Sequence, residues 1–123
     1  MLLNDFFTIE KLETSGTELK AGLLINPGHK IFEGHFPGQP VVPGVCMMEM
    51  VKEIVEQVLD KKTQLVKAQE MKFLAVIDPV KNNLISTNIK YTAGEDGSIN
   101  VVASFFKEEL MHFRFKGLFV IAH

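Results

Sequence analysis

The stretch Pro43-Gly44-Val45-Cys46-Met47-Met48-Glu49-Met50-Val51-Lys52-Glu53-Ile54-Val55-Glu56-Gln57-Val58-Leu59 decides how this chain folds. Its apolar residues Met47, Val51, Ile54, Val55, Val58 and Leu59 recur at the i, i+4, i+7, i+8 spacing of an amphipathic helix. Pro43 suits the first helical turn, where a missing N–H is no loss. Lys61 and Lys62 lie where the negative end of the helix dipole favours cations. No other segment reads as a long helix.

Upstream, Asn26 to Gly44 holds four of the five prolines (Pro27, Pro37, Pro40, Pro43) together with Gly28, Gly34, Gly38 and Gly44. Prolines at that density exclude helix and central strand and predict a stiff, extended loop. Such a loop fixes side chains with little conformational entropy left to lose. The remaining segments read as strands: Leu19 to Ile25, Leu65 to Ile77, Leu84 to Tyr91, Ile99 to Phe105 and Met111 to Ile121 are rich in β-branched and aromatic residues. Gly94-Glu95-Asp96-Gly97 is a turn that joins two of them into a hairpin. One long helix and about five antiparallel strands predict a single α+β domain over residues 1–123, with the sheet wrapped on the helix.

The 123 residues are 46% hydrophobic and 23% charged, enough apolar surface to exclude intrinsic disorder. A net charge of −2, scattered Lys and Arg and no Trp leave no basic field for nucleic acid or a membrane surface. The single cysteine, Cys46, excludes an internal disulfide and a cysteine-built zinc site. The histidines show no metal-ligand spacing, so no metal is expected. Met1 to Glu10 lacks a basic n-region, and no stretch approaches the ~18 apolar residues of a membrane span. These features predict a soluble cytoplasmic protein, and a core this small leaves apolar surface for an oligomer interface.

The chemistry is concentrated in Gly34-His35-Phe36-Pro37-Gly38-Gln39-Pro40-Val41-Val42-Pro43-Gly44-Val45, followed by Glu49 on the helix. An imidazole in a rigid loop precedes a helix N-terminus, which presents free N–H groups and a positive dipole end. A carboxyl group follows in the first two turns. Base, acid and N–H donor in one short segment suit proton transfer beside a carbonyl.

The string HFPGQPVVPGV from His35, with a glutamate fourteen residues after the histidine, resembles the β-hydroxyacyl-ACP dehydratases of fatty acid synthesis. The resemblance is carried by Phe32 to Val51 and continues through Lys72-Phe73-Leu74 to Pro79. It implies a hot-dog fold, one long central helix wrapped by a five- to six-stranded antiparallel sheet. It also implies a homodimer or a trimer of dimers, with histidine and acid supplied to each site by different subunits, and no cofactor. His35 would remove the α-proton of a 3-hydroxyacyl thioester borne on acyl carrier protein. Glu49 would protonate the departing hydroxyl, and the Gly44 N–H would hold the thioester carbonyl. The Val41 carbonyl would orient the His35 ring, and Phe36 would pack under the loop at the substrate. The product would be a trans-2-enoyl thioester.

The chain departs from that family at Glu53, where a Gln is usual, at Asp78-Pro79-Val80, and in lacking a proline-aromatic N-terminal segment. Glu53 shares a helix face with Glu49 and Glu56, a face that would be solvated in a monomer. At a partly buried site, Glu53 would raise the pKa of Glu49 and so favour a general acid. His29, His112 and His123 read as surface residues, and Cys46 as a small packing residue. Met47, Met48 and Met50 read as core before acyl tunnel. Lys107, Arg114 and Lys116 fit a solvated strand face as well as a docking site for an acidic carrier. The rival functions are a hot-dog thioesterase and a non-catalytic acyl-thioester-binding subunit.

Overall fold

The computed structural model describes residues 1–33 and 40–122. His35, Phe36 and His123, named above, lie outside the described residues. Eight elements follow in chain order: β1 (Phe7–Ser15), β2 (Glu18–Ile25), a 3-10 turn (Lys30–Phe32), α1 (Gly44–Leu59), β3 (Thr63–Phe73), β4 (Leu84–Ala93), β5 (Ser98–Lys107) and β6 (Leu110–Ile121). The strands form one six-stranded sheet in the order β1-β2-β4-β5-β6-β3, antiparallel throughout. This is the expected hot-dog arrangement, a sheet around one long helix.

Helix α1 begins one residue after Pro43 and ends where Asp60 turns left-handed at φ 53°. Met47, Met50, Val51, Ile54 and Val55 are fully buried on it. They face the inward residues of the strands, among them Leu23, Ile85, Val101, Phe105, Phe113 and Phe115, each at most 1% exposed. Burying a side chain of this size contributes about 1.5–3 kcal/mol, so this shared core dominates the stability of the domain. Phe105, Phe113, Phe115 and Phe119 form a chain of ring contacts along it, with centroids 5.4–6.4 Å apart.

The Gly94–Gly97 turn joins β4 to β5 as expected, with Gly97 at φ 85° and Asp96 accepting from the Ser98 N–H and hydroxyl. One strand that was not expected and one early strand end differ from the sequence reading. Phe7–Ser15 is a strand at one sheet edge, paired with β2 across a bulge between Glu10 and Glu13. β3 stops at Phe73 instead of running to Ile77, because the Leu74 and Ala75 N–H groups both turn onto the His112 carbonyl (2.9 and 3.3 Å). β3 is the other edge, with β6 on one side only.

Candidate active site

Pro43 precedes α1 in extended conformation (φ −62°, ψ 145°) and offers no side-chain cap. The helix therefore starts with orphan N–H groups and the positive dipole end. Among the described residues, no backbone carbonyl receives the N–H of Gly44 or Val45, whereas Cys46 and Met47 donate to Pro43 O (3.0 and 3.3 Å). Glycine at position 44 has a packing reason too. A Cβ there would lie 2.6 and 2.7 Å from Cε1 and Cζ of Phe73, whose ring stacks on Phe113 at 5.3 Å. Val41, half-buried, adjoins the buried Val42, whose N–H donates to Ile77 O at 2.9 Å. The structure thus brings Val41, Gly44 and Glu49 to one end of α1.

Glu49 is half-buried in the second turn. Burial pushes its carboxyl pKa up, and a proton shared with the Glu53 carboxylate pushes it further, against the opposing charge of Lys52. Glu53 moves the other way. Burial alone would raise it, but hydrogen bonds from the Leu2 and Leu3 N–H groups outweigh that and hold it below its ordinary value. Those bonds are short: Leu2 N lies 2.9 and 3.0 Å from Oε1 and Oε2, and Leu3 N lies 2.8 Å from Oε1. The pair is therefore driven apart, Glu49 above its ordinary pKa and Glu53 below it. A carboxyl group with a raised pKa suits a general acid. Burial and Glu49 raise the Cys46 thiol, and its 4% exposure fits the expected packing residue.

The helix face bearing Glu49, Glu53 and Glu56 is not solvated, contrary to the wheel-based expectation. Glu53 is 2% exposed and Glu56 9%. The N-terminal turn covers the first, and the start of β3 covers the second, where Glu56 Oε2 accepts from Thr63 N (2.6 Å) and Oγ1 (3.2 Å). His112 is likewise corrected from surface to interior, at 1% exposure. His29 is partly buried against the edge of Phe6, accepts the Ile31 N–H at Nδ1 and meets Asp5 Oδ2 at 3.1 Å through Nε2. Met47 and Met50 belong to the core. Among the described residues, no three His, Cys, Asp or Glu side chains are grouped as metal ligands. No helix among them is long and apolar enough to cross a membrane.

A protein-family model described as ApeI-like, ApeI dehydratase, matches residues 11–114. The chain belongs to the ApeI-like dehydratase family. Among curated relatives, the 3-hydroxyacyl-[acyl-carrier-protein] dehydratase FabZ of Mannheimia succiniciproducens is 38% identical over 66 residues, covering 54% of this chain and 43% of that protein. The chain thus aligns with less than half the length of that relative. The FabZ of Blochmanniella pennsylvanica is 27% identical over 103 residues, 84% of this chain and 64% of its own length. Among solved structures, the dehydratase heterocomplex ApeI:P from Xenorhabdus doucetiae superposes with a TM-score of 0.75 at 19% identity, covering 91% of this chain and 96% of that one. At that identity the likeness is one of fold.

Proposed function

We propose that this member of the ApeI-like family removes water from 3-hydroxyacyl chains carried on acyl carrier protein, giving trans-2-enoyl thioesters. The observation that carries the reading is Glu49, a carboxyl group whose pKa is raised by burial and by Glu53, in the second turn of a helix whose first N–H groups have no backbone partner among the described residues. Dehydratases acting on acyl carrier protein among the relatives support the substrate class.

In this reading the thioester carbonyl accepts the Gly44 N–H at the positive end of α1. His35 takes the α-proton, and the electron pair moves into the Cα–carbonyl bond as enolate charge develops on oxygen. That charge is where the N–H and the helix dipole act most strongly. The pair then returns to form the Cα–Cβ double bond as the Cβ–O bond breaks. Glu49 gives its proton to the leaving hydroxyl, which departs as water. His35 ends protonated and Glu49 ionised, and a proton exchange with solvent resets both. In the same reading Phe36 contacts the substrate and the Val41 carbonyl orients the His35 ring.

We place this chemistry in a cytoplasmic homodimer. Among the described residues the outer edge of β3 has no partner strand, and it is flanked by exposed Val66, Met71 and Phe73, with Leu74 and Val76 beyond them. An edge of this kind favours pairing with another chain.

Intact mass of the carrier after incubation with a chain-length series of 3-hydroxyacyl thioesters tests the function. Loss of water is expected; release of free acid would mean a thioesterase, and an unchanged carrier a binding subunit. Mixing inactive His35→Ala and Glu49→Gln protomers tests the shared site, because random dimers regain about a quarter of wild-type activity if histidine and acid come from different subunits. No regain would place both groups of a site in one protomer.

A further inference from the structure

We infer that His112 is a positioning residue for the candidate site, acting through the segment Leu74 to Ile77. It is the extra residue of a β-bulge: Phe105 pairs with Phe113 and Phe106 with Met111, which leaves His112 unopposed. Its backbone carbonyl takes two N–H groups, from Leu74 at 2.9 Å and Ala75 at 3.3 Å. Its ring Nδ1 lies 3.2 Å from the Ala75 carbonyl oxygen. A carbonyl oxygen only accepts, so Nδ1 carries the hydrogen. That Nε2 is fully buried and has no partner among the described residues.

An unpartnered buried ring nitrogen is unfavourable, and a phenyl ring would fill the same space without it. What histidine alone supplies here is the Nδ1–H bond, so the ring's contribution is its grip on Ala75. Two residues further on, Ile77 O accepts the Val42 N–H at 2.9 Å, and both Ile77 and Val42 are buried. Val42 stands between Val41 and the Pro43-Gly44 start of α1. His112 therefore clamps the segment that holds the loop end from which the site is built. The next residue, Phe113, stacks on the Phe73 ring that covers Gly44. The bulge thus supports the helix start through a second route.

This inference rests on the dehydratase reading, and its test is arranged to separate the two. His112→Asn puts an amide N–H near the place of Nδ1, whereas His112→Gln moves the polar end toward Nε2 and releases Ala75. Both are polar replacements in the same buried place. The amide exchange of Val42, followed by NMR without any substrate, should accelerate at least about tenfold in His112→Gln and return to within about threefold of wild type in His112→Asn. With substrate, kcat should fall at least about tenfold in His112→Gln, with KM within about threefold, and recover in His112→Asn. Equal Val42 exchange in wild type and His112→Gln would overturn the inference, whatever the activity. So would equal losses of kcat in the two variants. A wild type that releases no water would remove the dehydratase reading while leaving the exchange experiment to decide the clamp.

Discussion

Replacing Glu53 by glutamine separates its charge from its shape. The wild-type carboxylate is 2% exposed and accepts three close contacts, all at 3.0 Å or less, from the N–H groups of Leu2 and Leu3. Hydrogen bonds to a charged acceptor contribute about 1.5–3 kcal/mol, against about 0.5–1.5 for neutral ones. Two donors losing that difference cost about 1–3 kcal/mol. For a domain of this length the loss corresponds to a fall in Tm of about 5–10 °C. The pH dependence has a definite sign. The folded state holds Glu53 below its ordinary pKa. Its contribution is therefore present above the unfolded carboxylate pKa and is lost as pH falls through the folded one. Calorimetry between about pH 7 and about pH 3 should show a Tm gap between wild type and Glu53→Gln that narrows toward acid. The same substitution removes the anion that helps raise the Glu49 pKa, so the alkaline limb of kcat should move to lower pH. Equal Tm values at neutral pH, or a gap that persists undiminished in acid, would refute the assignment of the Glu53 charge to the N-terminal turn.

Other substitutions test neighbouring links. Glu49→Gln should raise Tm at about pH 8 relative to wild type, because a folded pKa above the unfolded one means that ionisation costs stability as pH rises; an unchanged or lower Tm there contradicts the raised pKa of Glu49. Gly44→Ala should destabilise by about 1–3 kcal/mol in urea unfolding, because its Cβ would displace the Phe73 ring. In a Phe73→Ala background the same change should cost much less, and a double-mutant cycle without coupling would sink the contact. Glu56→Ala leaves the buried Thr63 N–H unpaired and should cost about 1–3 kcal/mol, read by the same unfolding experiment.

The helix was legible because Met47, Val51, Ile54 and Val55 repeat at helical spacing and do face the core. β4, β5 and β6 were legible for the matching reason, a period of two that the sheet buries on one side. β1 was not: Phe7 and Ile9 alternate, but Lys11 turns left-handed at φ 50° within the bulge, which leaves Leu12 41% exposed and breaks the pattern. The end of β3 was overextended because Leu74 to Ile77 is apolar enough for a strand, while the bulge at His112 draws it off the sheet. Within the site, Glu49 and the raising of its pKa by Glu53 could be read from the i, i+4 pair and the family's usual Gln. The burial of Glu53, Glu56 and His112 could not. Each is covered by residues distant in sequence: Leu2 and Leu3, Thr63, and Ala75, respectively. No helical wheel or strand alternation contains those contacts.

The central claim is that Glu49 is the acid of a dehydration, and single-turnover intact mass of a 3-hydroxyacyl carrier protein tests it most directly. Wild type should convert the carrier to the species lacking one water, and a folded Glu49→Gln should do so at least about 100-fold more slowly. Dehydration by Glu49→Gln at the wild-type rate, or a wild type that leaves the hydroxyacyl chain intact, would contradict the account.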